Sequence, residues 1–366
     1  MTHDVWVEVD LAALKHNFAQ VKNVVGNGVK ITAVVKSNGF GHGYVEPAKA
    51  FIEAGADMLA VTRLDEAIIL REAGIESPTL LFAPIQPENA EIAVNADLEM
   101  TISTIELAHT ISDAAQRLGK TAQVHVKIDT GMGRLGVSID DAHQLIQHVH
   151  QLPSLEIAGV YTHFATTSEQ DASSSKLQLE RFTQLLTDLR RSDIDYGLAH
   201  CANSAAIIRM PDSHMDMVRP GTILYGQYPS THVPHTLDLK STWKLKARIC
   251  EVKELKSGSP VGYGGEFVTR RITKTAIVPI GYADGFTLAP EGPIYRQSAL
   301  KFAVRKVRKR LFLDINGRKA PVIGRIAMQM TVIDITNFAH IRVGDEVTVP
   351  AMRIPTSALV PRVYVG

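Results

Sequence analysis

The chain has 366 residues, a formal net charge of +1, 45% hydrophobic residues and two cysteines. Its length suits two domains. The near-neutral charge argues against a nucleic-acid partner, and Cys201 and Cys250 provide no disulfide framework, as expected in a reducing compartment. The opening "MTHDVWVEVDLAALKHNF" carries charges where a secretory signal needs an apolar core, and no apolar run is long enough to span a bilayer. These features predict a cytoplasmic protein with no membrane partner. One basic stretch, "KFAVRKVRKR" (301–310), reads as a solvated face rather than a polyanion site.

In chain order, "VWVEVD" alternates in strand fashion ahead of a repeating unit. Short β-branched apolar runs then alternate with helical spacing: 31–36, 58–62, 79–83, 99–103, 124–129, 157–163, 196–202 and 215–221. Among the intervening helices, 103–119 has Ser103 as its N-cap and Gly119 at its stop, and 177–191 is a second. Continuously apolar strands, each followed by a helix, predict a parallel sheet covered by helices. Eight such units predict a TIM-like (β/α)8 barrel over residues 11–229, with an open doubly wound sheet as the alternative.

The predicted strand tips are rich in reactive groups: Lys36, Lys127 and Asp129, His163, then His200, Asn203 and Ser204, and finally Arg219 and Gly221. Each alone has a bland explanation, since lysine and arginine snorkel and histidine can be a satisfied core residue. Together they converge on one mouth, where barrel chemistry is found. After Pro229 and Pro234 the long helical patterns stop, and alternating runs with glycine turns predict a mostly β domain over 230–366, joined by the strand in 1–10.

A lysine among apolar neighbours loses affinity for its proton and becomes a nucleophile. That is what covalent attachment of pyridoxal 5'-phosphate requires. Asn203-Ser204 before "AAIIRM" looks like a loop entering a helix, whose free N–H groups suit a phosphate. Gly221 offers a backbone that a ligand can approach closely.

The chain resembles the alanine racemases. The motifs that carry the resemblance are "AVVKSNGFGHG", "VKIDTGMGRLG", "THFATTSEQD", "HCANSAA", "VRPGTILYG", "VGYGGEF", "VPIGYADGF" and "GRIAMQMTVIDIT", in family order along nearly the whole chain. The resemblance implies a homodimer with shared active sites, acting on a small amino acid and, in bacteria, supplying D-alanine for the cell wall. Lys36 would carry pyridoxal phosphate and act as the base for one enantiomer. Tyr263, reaching in from the other subunit, would be the base on the opposite face; because a free phenol is a poor base near neutral pH, cationic neighbours must assist it. His163 would lie against the cofactor ring, and Asn203, Ser204, Gly221 and Thr222 would belong to the cofactor site. Arg219 would hydrogen-bond the pyridine nitrogen, keeping it unprotonated and limiting side reactions such as transamination. Arg134 and the backbone N–H of Met328 would meet the substrate carboxylate, and Tyr282 would stand at the substrate entry. Lys127 would be carbamylated and hold Arg134; the alternative is an ordinary lysine paired with Asp129.

Three positions depart from the family pattern. Phe40 stands where a tyrosine usually reaches the cofactor phosphate. Ala358, two residues before "VPR", replaces a second tyrosine, and Gln329 replaces an aspartate. Each hydrogen bond lost to a charged group is worth roughly 1.5–3 kcal/mol. These changes predict looser cofactor binding and a pocket that also accepts serine or other small amino acids. The rival readings are a related decarboxylase, a non-catalytic cofactor-binding barrel, and a metal-dependent hydrolase using "HVH" (148–150). Helical spacing makes the last a surface histidine pair rather than a metal site.

Overall fold

The computed structural model describes residues 3–288 and 310–366. They form two compact units, one of residues 10–242 with Gly366, the other of 3–9, 243–288 and 310–365. Apart from Arg310, the basic stretch 301–310 lies outside the described residues. Among the described residues no helix is long and apolar enough to cross a membrane.

The strands up to residue 218 are β1 (Val5–Asp10), β2 (Lys30–Val34), β3 (Met58–Val61), β4 (Thr79–Leu81), β5 (Glu99–Ile102), β6 (Ala122–Asp129), β7 (Val137–Ser138), β8 (Leu155–Tyr161), β9 (Leu198–His200) and β10 (Met217–Val218). Eight of them form one parallel sheet in the order β10-β2-β3-β4-β5-β6-β8-β9, with β7 paired beside β6. A bridge between Asn203 and Arg219, and the Arg219 N–H donating to the Ala202 carbonyl at 2.9 Å, bring the ends together into the expected barrel. β3 and β4 are buried at every residue, as strands covered on both faces must be.

The helices supply the outer layer through apolar stripes. Helix Ile105–Leu118 buries Leu107, Ala108, Ile111, Ala114 and Ala115 and ends on Gly119, whose φ of 63° is left-handed. Its N-cap is Thr104, not the predicted Ser103: the extended backbone at Thr104 lets its hydroxyl accept from Leu107 N at 3.2 Å, and Ser103 lies one residue too early. The second predicted helix runs over Ser173–Arg191. Asp10 caps the first helix, Leu11–Val25, by accepting from Ala13 N at 2.8 Å.

The second unit is built on a nine-stranded sheet. β1 joins it, antiparallel to Trp243–Arg248, in which Leu245 and Ala247 are buried while their neighbours are not. That alternation is the signature of a sheet with one covered face.

Candidate active site

Lys36 follows the end of β2 by two residues and opens a tight turn. Ser37, Asn38, Gly39 and Phe40 all have left-handed backbones, with φ of 55°, 56°, 55° and 52°. Only glycine adopts this region freely, so the three others cost about 1–2 kcal/mol each. The turn is held by Gly39 N donating to Val35 O at 3.0 Å and Gly43 N donating to Asn38 O at 2.9 Å. Lys36 Nζ lies 6.0 Å from the Phe82 ring centroid. Burial, then the positive charge of Arg134, lowers its pKa against an opposing pull from Glu66. The free-amine form is thereby favoured.

Arg219 is buried just past the end of β10. Its Nη1 donates to His200 Nδ1 at 2.6 Å, and its Nη2 donates to the Thr162 carbonyl at 2.7 Å. Because a guanidinium only donates, His200 Nδ1 must accept. His200 Nε2–H then donates to His125 Nδ1 at 3.0 Å, and His125 Nε2–H donates to Glu99 at 2.6 Å. A directed chain thus runs from Arg219 to a carboxylate at the start of β5. Burial, then the Arg219 charge, drives the His200 pKa well below normal, which keeps the ring neutral as the chain demands. His163 is held neutral in the same way, by burial and then Arg219. Among the described residues, the hydrogen bonds of Arg219 run from Nη1 and Nη2, and none is made by its Nε–H.

Lys127, on β6, is buried, and among the described residues no ion pair or hydrogen bond reaches its amine. Its contact is the Tyr161 ring, 4.2 Å from Nζ to the centroid. Burial, then Arg219 and Arg134, pushes its pKa well down. Asp129 is not its salt-bridge partner. Its carboxylate accepts from the N–H groups of Gly131, Met132 and Gly133, fixing the loop that carries Arg134.

Asn203, Ser204, Gly221 and Thr222 form another part of the cavity wall. Asn203 Oδ1 caps helix Ser204–Arg209 by accepting from Ala205 N and Ala206 N. Two of the N–H groups expected to be free are therefore taken. Ser204 Oγ accepts from Gly221 N at 2.8 Å, and Thr222 opens a short 3-10 turn. Phe40 is buried with its ring 4.8 Å from that of Tyr225. A Cβ at Gly221 would come within 3.1 Å of Phe40 Cζ, so glycine here makes room for the phenyl ring. Tyr225 is not a simple replacement donor, since its hydroxyl donates to Val34 O at 3.0 Å.

Lys36, Lys127, Arg134, His163, Asn203, Ser204, Arg219, Gly221 and Thr222 all line one cavity of about 530 Å³, well within the range for small-molecule sites. Tyr161 and Phe82 line it too. Sequence reasoning missed both, because an aromatic in an apolar strand reads as core. Tyr161 lies parallel to His200, with centroids 4.8 Å apart, so it fixes the plane of the imidazole beneath Arg219.

Tyr263, Tyr282 and Met328 belong to the second unit and are 69%, 46% and 61% exposed. Their loops pack on one another. Tyr282 N donates to Ala327 O at 3.2 Å, Ala283 N donates to Met328 O at 3.0 Å, and Glu266 pairs with Arg325. Gly281 is required there, since a Cβ would meet Ala327 O at 2.1 Å. Gln329 lies in the same stretch, and Ala358 offers its carbonyl to Arg362. Of the "HVH" histidines, His148 meets His109 at 3.0 Å while His150 bonds the Asp195 carbonyl.

A strand-tip amine, a buried guanidinium and the Ser204–Gly221 corner lining one cavity define a (β/α)8 barrel with a small-molecule site at its strand ends. Comparison with known proteins narrows that class. Residues 9–229 match the alanine racemase N-terminal domain and residues 242–358 the alanine racemase C-terminal domain. The alanine racemase of Carboxydothermus hydrogenoformans is 41% identical over 93% of this chain and 88% of its own length. That of Methanococcus maripaludis is 39% identical over 95% of this chain and 89% of its own. The solved alanine racemase of Clostridium difficile superposes with a TM-score of 0.91 at 33% identity, covering 100% of this chain and 96% of that one. The chain belongs to the alanine racemase family.

Proposed function

We propose that the chain interconverts L- and D-alanine by two-base proton transfer, with pyridoxal phosphate held in the barrel cavity. The observation that carries the reading is the meeting of Lys36, Arg219 and the Ser204–Gly221 cradle in that cavity. Family membership makes the protein an amino-acid racemase, and the family generally depends on pyridoxal phosphate. The relatives are named for alanine, which favours it over the serine or broad-specificity reading. The barrel, 11–229, supplies the cofactor site, and the β domain, 230–366 with residues 1–10, supplies the rest.

The residues fit the cofactor. The Lys36 amine suits its aldehyde, the Ser204, Gly221 and Thr222 corner its phosphate, and the unpartnered Arg219 Nε a ring nitrogen. When bound, pyridoxal phosphate supplies the electron sink that acidifies the substrate α-hydrogen. Arg219 keeps its proton and so leaves the ring nitrogen unprotonated, which limits that sink and disfavours side reactions. Lys36 Nζ takes or returns the α-proton on one face. The hydroxyl of Tyr263 of the partner subunit does so on the other, in a homodimer. Arg134 and the partner subunit's Met328 N–H orient the carboxylate, Tyr282 guards entry, and neutral His163 would help hold the cofactor.

Purified protein supplied with pyridoxal phosphate is expected to form D-alanine from L-alanine until the two are equal, as measured by chiral chromatography. Release of carbon dioxide from the substrate, or no D-product, would overturn the reading.

Lys127 is buried beside Arg219 and Arg134, which with burial outweigh the pull of Asp129 and favour its free amine, the form that becomes a carbamate. Nζ bonds to carbon dioxide and loses a proton, giving an anion that can hold Arg134. Native mass spectrometry should find one carbon dioxide bound per chain, lost on acidification and absent from Lys127→Arg. An unmodified chain under dissolved carbon dioxide would sink this assignment.

A further inference from the structure

Glu66 lies outside the machinery described above, yet it is 2% exposed. It stands in the first turn of helix Leu64–Glu72 and reaches back across it. One carboxylate oxygen accepts from Thr62 N at 2.8 Å and Arg63 N at 3.1 Å, which ties the helix start to the end of β3. The other accepts from Ser37 N at 2.8 Å and from the Tyr44 hydroxyl at 3.1 Å. Ser37 is the first residue of the left-handed turn and directly follows Lys36. The carboxylate therefore gathers four donors from three segments, and the bond to Ser37 N acts where the chain reverses hand.

We infer that Glu66 is a positioning residue for Lys36: its buried carboxylate clamps the Ser37 amide, fixes the left-handed turn, and so aims the Lys36 amine into the cavity. A left-handed run containing three non-glycine residues does not persist by local preference. The hydrogen bonds within the turn close it at Gly39 and beyond. Among the described residues, the Ser37 N–H has Glu66 as its partner. Glutamine cannot replace the carboxylate, because either orientation of its amide turns an NH2 toward backbone donors.

The inference rests on Lys36 being the cofactor-bearing amine, and the test separates the two ideas. In the wild-type holoenzyme, backbone hydrogen exchange should be slow at Ser37 although its side chain is exposed. In Glu66→Gln, exchange over 37–41 should quicken at least tenfold while β6 stays protected. The visible absorbance of lysine-bound cofactor should weaken, and kcat should fall tenfold or more with KM changed less than threefold. Glu66→Asp, which keeps the charge, should recover part of both losses. Fast Ser37 exchange in the wild type, or wild-type exchange and absorbance in Glu66→Gln, would overturn the clamp. Accelerated exchange in a protein that never attaches cofactor at Lys36 would instead overturn the cofactor reading and leave the clamp standing.

Discussion

Lys36→Ala is expected to abolish measurable racemisation and the visible absorbance of the bound cofactor together. The substitution removes the covalent anchor and one of the two bases at a stroke. A positioned general base alone is worth roughly 10²–10⁴-fold, so kcat/KM should fall by on the order of 10⁴ or more, about 5 kcal/mol of transition-state stabilisation. Folding should not suffer. Among the described residues Lys36 Nζ makes no hydrogen bond or ion pair, and burial disfavours its charge. Compared in the cofactor-free form, the variant should therefore unfold at no lower temperature than the parent in a calorimeter. Retention of both the absorbance and the activity would show that another amine does the work.

Tyr263→Phe should separate the two directions of the reaction. Tyr263 is 69% exposed on its own unit, so losing the hydroxyl leaves packing intact and the stability change within about 0.5 kcal/mol. Racemisation should nevertheless drop by roughly 10²–10⁴-fold, because one face of the substrate loses its proton carrier. In deuterated water, followed by proton NMR, one alanine enantiomer should still exchange its α-hydrogen through Lys36 while the other does not. Equal exchange of both enantiomers would refute a two-base division.

Much of this was legible in the sequence for a physical reason. Strands buried on both faces must be apolar throughout, so the reactive residues that end those runs stand out. Lys36, His163 and Arg219 were all found that way, and the cavity gathers them. Capping was read one residue early, since Ser103 and Thr104 both carry a hydroxyl and only the helix start at Ile105 selects Thr104. The hand of the turn after Lys36 was not legible: Asn38 and Gly39 tolerate positive φ, but nothing about Phe40 announces it. Glu66 was invisible because "RLDEAIILREAG" reads as a surface helix with ordinary acidic positions. Tyr263, Tyr282 and Met328 were reachable through the family motifs alone, as they sit on exposed loops of the second unit with no periodic signal.

The histidine chain beneath Arg219 ties the site to the far end of the barrel. In barrels of this kind the strand starts are usually credited with stability alone. Here the hydrogen-bond chain from Arg219 ends on Glu99, the first residue of β5, through two imidazoles whose tautomers are fixed by the donor at the other end. Glu99 keeps a partly solvated side chain. A change at the start of β5 would thus reach Arg219 through the tautomers of two rings, without touching the cavity itself.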